Sequence, residues 1–420
     1  GARMAAESGL MYLVYVMRQI DPAAVQGDSL LDKAHNHLLA VLDGSPAIQG
    51  SIGRSGDVVT IPATLVTGQA GCFDVTVTPL NPTTLHIRST GHHDSLARSV
   101  GINFALANGA SAFFDYGIAA RGPIRMTGNA SVEGYNEPAE ARCLSATYST
   151  TEVFDLTGNC GIQGGLSVAN PDGYVKLTGN VDIAGQRFIG SNTITKQMVD
   201  EDPSAYPGFS MGTGEVEFPE VDPTVFEPFA TTVVDASTNT SGNKTFTNIR
   251  IKANTNKTFA GNINLNGVIF IEQPNRIHFS GNVNITGVIV TQDAGDGAYE
   301  SNTLKFTGNL SARGVEELPD TPEFSQLRQM PGSFILAPGF GCEFTGNFGT
   351  VNGTIAADKF KWTGNASGVV RGSVISYSDD EFKLTGNSRI RIDRSGTPDV
   401  PPGFNTQTTF RPMPDSYVEY

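Results

Sequence analysis

The chain has a single tryptophan, Trp362, and four cysteines in 420 residues. The cysteines, Cys72, Cys143, Cys160 and Cys342, form no C-x-x-C pair, so a zinc site is not expected. Their even number permits two disulfides, and Cys143 with Cys160, the pair closest in sequence, is the candidate bridge. Charge is sparse as well. Only 17% of residues are Asp, Glu, Lys or Arg, and the acids leave a formal net charge of -14. An acidic surface argues against nucleic acid and anionic lipid headgroups as partners. No stretch approaches the ~20 apolar residues that cross a bilayer. The N-terminal run from Leu10 to Met17 is too short, and no retained transmembrane segment is expected.

Constellations that carry chemistry are also scarce. His92-His93-Asp94 lacks an evident third ligand, and neighbours in an extended segment point apart. Asp200-Glu201-Asp202, and Asp293 with Asp296, match neither an EF-hand nor a Gly-rich calcium nonapeptide. A glycosidase needs paired carboxylates and a lyase needs a placed base, and no such set stands out. The chain is read as non-enzymatic, with no cofactor and no metal.

What is abundant is a phrase: an apolar residue, then Thr, Ser or Ala, then Gly-Asn. It recurs nine times, ending at Asn129, Asn159, Asn180, Asn262, Asn282, Asn309, Asn347, Asn365 and Asn387. Several spacings lie near twenty residues, and a fixed period of that size means one unit stacked on itself. A glycine follows five residues after six of these asparagines: Gly134, Gly164, Gly185, Gly267, Gly287 and Gly314. Short strands punctuated by residues tolerant of positive φ predict a right-handed parallel β-helix. Coils would lie about 4.8 Å apart. Asparagines at one corner could then bond side chain to side chain up the column. The apolar residue before the phrase should point inward, as should alternate members of Val268 to Ile271. Asp155, Lys176, Lys305, Lys361 and Lys383 should face out. Two proline-bearing stretches, 186–245 and 315–341, lack the phrase and are expected to leave the coil as loops, where a solenoid often carries function.

The rest of the chain reads differently. Residues 1–49 predict two helices, the second starting near Asp28 as N-cap and ending at Gly44. Residues 50–108 alternate with period two over 57–61, 73–78, 85–90 and 100–106, which predicts an antiparallel meander. The β-helix is assigned to 109–393 and a C-terminal tail to 394–420.

The ends carry a resemblance. Ala5-Ala6-Glu7-Ser8-Gly9-Leu10 resembles the phrase that follows the membrane helix of PilX-type minor pilins and related pilin-like proteins. The strands over 73–106 resemble their small meander. Pro401-Pro402-Gly403-Phe404 through Tyr417-Val418-Glu419 is similar to the ending of their β-helical members. The resemblance implies export and a place in a type IV pilus-like filament, at the cell surface or outside the cell. Partners would be copies of the chain or other pilin-like subunits. Leu10, Leu13, Val14 and Met17 would form the helical assembly face, and the open β-helix ends a second contact. The other reading is a surface β-helix that binds or cleaves polysaccharide, with surface glycans as partners and a role in adhesion.

Overall fold

The computed structural model describes residues 1–17, 20, 29–42, 44–65, 71–108, 111–405 and 408–420. Two compact units emerge: 1–109 together with 407–420, and 110–406.

In the first unit, helix α1 (Ala2–Met17) and helix α2 (Leu30–Leu42) pack on a six-stranded sheet. Small residues let α1 come close. A Cβ on Gly91 would lie 2.1 Å from the carbonyl oxygen of Ala2, and one on Gly9 would strike Phe73 and Ser89. Ala5, Ala6, Leu10, Leu13 and Met17 join Phe73, Val75, Val77, Leu85, Ile87 and Phe104 in the buried core. The start of α2 differs from expectation. Asp28 lies outside the described residues, and Ser29 carries the cap. Its hydroxyl accepts from the Asp32 amide at 3.2 Å, while the Asp32 carboxylate accepts from the Ser29 amide at 3.0 Å. The Ser29 and Arg54 hydrogen bonds lower the Asp32 pKa to about 2. The C-terminal segment is also more than a tail. Thr408–Glu419 adds antiparallel to Leu96–Asn108 as the sixth strand, because that edge would otherwise leave its backbone unpaired.

The second unit is dominated by one large, mostly parallel sheet. A single level runs through three walls. In the level of Glu152–Ile162, the first wall holds Phe154 and Leu156 inward, Gly158-Asn159 turns the corner, and the second wall holds Cys160 and Ile162. Leu166–Val168 is the third wall. Each level pairs in parallel with the one beside it, phrase on phrase: Asn262 lies opposite Asn282, and Asn159 opposite Asn180.

The levels do not stack in chain order. From one end, Thr232–Val234 lies outside the Ile249–Ile251 part of Ser241–Ile251, which is followed by Thr258–Ile271, Arg276–Thr291 and then Thr303–Phe306 with Asn309–Arg313. Levels containing Phe344, Trp362 and Leu384 come next. Phe382–Gly386 and Arg389–Asp393 then pair with Ile124–Gly128 and Ser131–Gly134, the earliest phrase in the sequence. Glu152–Ile162 and Tyr174–Ile183 complete the stack. The chain therefore enters mid-stack and builds to one end. It crosses to the other end through 212–231 and builds back until its last level meets its first. The meeting level is composite. Its third wall is Ile118–Ala120, held between Val374–Ser376 and Cys143–Ser145.

The crossing segment covers the third wall from outside. Tyr377 donates its hydroxyl to the Pro219 carbonyl at 2.5 Å, and Arg250 donates to the Glu227 carboxylate at 2.9 Å. With Phe324 and Leu327 of the 315–341 stretch, the segment buries the outward residues of the alternation as well. Ile269 and Ile271 face the inner core, but Val268 and Phe270 are buried too, in a second cluster with Phe226, Phe324 and Leu327. A strand buried on both faces reads as an unbroken apolar run, which is the pattern of Val268-Ile269-Phe270-Ile271.

Both ends are blunted. Gln186–Thr195 folds back antiparallel over Tyr174–Ile183 and leads into helix α3 (Lys196–Glu201). At the other end, Lys244 stands in the inward column of Ile263, Val283 and Leu310. Thr240, one residue before the paired Ser241, takes the place that Phe259 holds in the next level.

Candidate functional site

The asparagine corner is a hydrogen-bonded ladder in two runs. Asn180 donates to Asn159 at 3.1 Å, Asn159 to Asn129 at 2.9 Å, Asn129 to Asn387 at 2.8 Å and Asn387 to Asn365 at 3.1 Å. The other run is Asn309 to Asn282 to Asn262 to Asn243, each at 3.0 Å. Asn243 is a further rung outside the nine phrases, because polar Thr240 stands where the apolar residue should be. Asn347 breaks the column: its carboxamide oxygen accepts instead from the Ser367 hydroxyl at 3.1 Å. The glycine beside most rungs leaves no room for a Cβ. Gly158 has φ of +114°, and a Cβ there would lie 2.4 Å from the Gly128 carbonyl oxygen one level away.

The expected Cys143–Cys160 bridge is corrected: both are free thiols, as are Cys72 and Cys342. Cys143 lies in the third wall opposite Leu166, while Cys160 lies in the second wall opposite Val181. The two belong to different walls of the level, a separation that proximity in sequence conceals. Burial pushes the thiols of Cys143 and Cys342 well above their ordinary value.

The expected assembly face is corrected as well. Leu10, Leu13 and Met17 are buried within their own unit, and Val14 packs partly against that core. The exposed apolar stripe of α1 is Met4, Met11, Tyr12 and Tyr15, with Met11 68% and Tyr15 66% exposed. These positions follow i, i+7, i+8 and i+11, one face of a helix. The signal was present in the sequence, but α1 is apolar on two sides, and only the sheet decides which side is core.

The outward charged residues of the first wall form neighbouring pairs rather than a bare cationic row. Lys305 and Lys361 flank Glu343 at 3.4 and 3.9 Å, Lys383 meets Glu381 at 2.8 Å, and Lys176 and Arg125 share Asp155. The His92 ring bonds Asp74 at 2.5 Å, while His93 is turned to Asp94.

One cleft gathers polar and aromatic groups from distant parts of the sequence. A cavity of about 430 Å³ is lined by Arg121, Phe218, Glu220, Asp293, Asp296, Asp358 and Tyr377, among others. A neighbouring cavity of about 320 Å³ shares Arg121 and Phe218 and adds Tyr148, Ser149, Glu215 and Asp379. Asp358 is 3% exposed and accepts from the amides of Gly297 at 3.0 Å and Gly339 at 3.1 Å. Burial raises its pKa, with the nearby Asp296 charge adding to the rise against those two hydrogen bonds and Arg121. The Arg121 guanidinium lies over the rings of Phe218 and Tyr377, at 5.4 and 5.9 Å from their centroids. Its nearest carboxylate is Asp296 at 3.8 Å. Among the described residues, the guanidinium makes no hydrogen bond. Of this cleft, only Asp293 and Asp296 stand out in the sequence. Arg121, Glu220, Asp358 and Tyr377 meet through the stack order, which no local pattern encodes.

No family model matches the chain, and no curated protein matches it. Among solved structures, the chain is matched to the competence-associated pilin ComZ from Thermus thermophilus. The alignment covers 100% of this chain and 97% of that chain at 12% identity, with a TM-score of 0.22. That score is too low for the likeness to bear on fold or function.

Proposed function

We propose that this protein is a non-enzymatic structural subunit of a pilus-like filament, exported to the cell surface or beyond it. In this reading residues 110–406 form a right-handed parallel β-helix that serves as a stiff body. The pilin-like unit carries the assembly contact. The observation that carries the reading is the exposed stripe Met4, Met11, Tyr12 and Tyr15 on α1. A helix whose inner face already fills a core, and whose outer face is apolar again, is suited to pack against another helix. The occupant is α1 of a neighbouring subunit, a copy of this chain or another pilin-like protein. The AAESGL phrase within this helix and the PPGF ending support the pilin-like reading. The blunted ends of the stack turn assembly away from end-to-end joining and toward α1.

Electron microscopy of the native protein from its source tests this. Regular filaments with this chain as a repeating subunit are expected. Met11→Glu and Tyr15→Glu should abolish them while leaving the thermal transition of the dispersed protein in place. Dispersed wild-type protein, or filaments that survive both substitutions, would refute the reading.

A further inference from the structure

We infer that the paired cavities joined at Arg121 bind a neutral oligosaccharide, with Arg121 as the central hydrogen-bond donor. Arg121 carries five N–H donors in a fixed fork. Its backbone amide is tied to the Ser376 carbonyl at 2.9 Å, which fixes the base of the side chain. The guanidinium rests on Phe218 and Tyr377 and stays beyond hydrogen-bond distance of Asp296. It is held in place by rings and charge while its donors stay unspent. A ligand that brings acceptor oxygens would complete it.

The rest of the lining supplies the complementary half. Asp293, Asp296 and Glu220 are exposed carboxylates, which are acceptors for hydroxyl groups. Glu215 and Asp379 do the same in the neighbouring cavity. A sugar ring needs both kinds of partner at once, because each hydroxyl donates once and accepts as well. Tyr148 adds an apolar surface for the C–H face of a ring. It is 52% exposed, and its hydroxyl is occupied by the Ala169 carbonyl at 3.2 Å. Each cavity lies within the roughly 300–1,000 Å³ of ordinary small-molecule sites. Sharing Arg121 and Phe218, they lie side by side, as sites for neighbouring rings of a short chain would.

Charge narrows the class. Against one arginine stand five carboxylates besides Asp358: Glu215, Glu220, Asp293, Asp296 and Asp379. Like charges brought together oppose binding, so uronate-bearing or sulfated glycans are disfavoured. Asp358 belongs to the architecture of the cleft: the hydrogen bonds it accepts from the Gly297 and Gly339 backbone N–H groups pin the two turns that shape one side.

The test is isothermal titration with four neutral probes (cellohexaose, laminarihexaose, maltohexaose and N-acetylated chitohexaose) against hexagalacturonate. At least one neutral hexasaccharide should bind one to one. Arg121→Ala should weaken it tenfold or more, and Arg121→Lys, which keeps charge but loses the fork, should weaken it comparably. Tyr148→Ala should weaken it several-fold. None of these side chains lies in the inner core, and an unchanged melting transition verifies the fold of each variant. Failure of all four neutral probes, equal binding of hexagalacturonate, or an Arg121→Ala variant that binds like wild type would each overturn the inference. Titrating the Tyr15→Glu protein separates this site from filament assembly, since binding there should be retained.

Discussion

At the residue scale, the Gly-Asn corner does two jobs with two side chains. Glycine gives the positive φ and removes the Cβ that would meet the neighbouring level's carbonyl. Asparagine, both donor and acceptor, continues the column indefinitely. Asn159 makes two ladder bonds, so Asn159→Ala should cost about 1–2 kcal/mol in denaturant unfolding. Asn347→Ala, off the ladder, should cost about 0.5 kcal/mol or less. Equal losses at both positions would deny the ladder its energetic role. The cysteines give a second check. Cys72 is partly exposed, while Cys143, Cys160 and Cys342 are buried. Native protein at pH 8 should react with a thiol reagent first at Cys72. The other three should react only on unfolding, because burial holds their thiols protonated. Inward apolar residues and outward lysines of the first wall were legible from period two alone. The missed rung at Asn243 was not, because its level departs from the consensus in order to end the stack.

Among the elements, the terminal level Ser241–Ile251 is informative for what it substitutes. An inward lysine on an edge strand discourages pairing with another chain. Thr240 turns its hydroxyl to the Thr258 carbonyl at 2.7 Å, spending polar capacity locally where other levels put phenylalanine or leucine. Lys244→Ile should therefore convert a monodisperse end into an associating one. Sedimentation velocity should show concentration-dependent dimers or larger species that the wild-type chain lacks under dispersing conditions. Continued monodispersity would mean that the backbone edge itself is protected. Helix α1 shows the limit of sequence reading at this scale. Its composition predicts a helix, yet two apolar stripes compete for the core. The sheet takes the one with Ala5, Ala6 and Gly9, because small residues allow the closest approach.

For the whole β body, stability depends on a joint between segments far apart in sequence. Asn129 bonds Asn387, Asn136 donates to Asp393 at 2.9 Å, Arg389 pairs with Glu133, and the Arg394 amide donates to Glu140 at 3.0 Å. Burial alone would raise the pKa of both Asp393 and Glu140. The bonds from Ser395, Arg371 and Asn136 to Asp393, and from Asn136, Arg394 and Glu137 to Glu140, reverse the direction and lower both. A lowered carboxylate contributes stability that is complete above its unfolded value, about 4. That stability is lost as pH falls through the folded values. Hydrogen exchange in 382–393 and 118–134 should therefore accelerate together below about pH 4, ahead of 258–291. Asp393→Ala should destabilise the body by about 1–3 kcal/mol at pH 7, since it removes the acceptor of the Asn136 and Ser395 hydrogen bonds. It should also flatten that acid response. Acid exchange beginning instead in 258–291 would contradict a weak joint.

The sequence by itself determined the local grammar: a level of about twenty residues, its glycine-asparagine corner, the inward column, and an N-terminal helix-and-meander unit. Those follow from backbone sterics and side-chain periodicity, which act within a few residues. Only the tertiary structure decided the order of the levels, the completion of one level by Ile118–Ala120, the burial of the third wall from outside, and the cleft around Arg121. One level pairs with another equally well whatever its place in the chain. What selects the order is long-range: a polar end at Lys244, a capped end at Gln186–Thr195, and a crossing segment that covers apolar surface left between them.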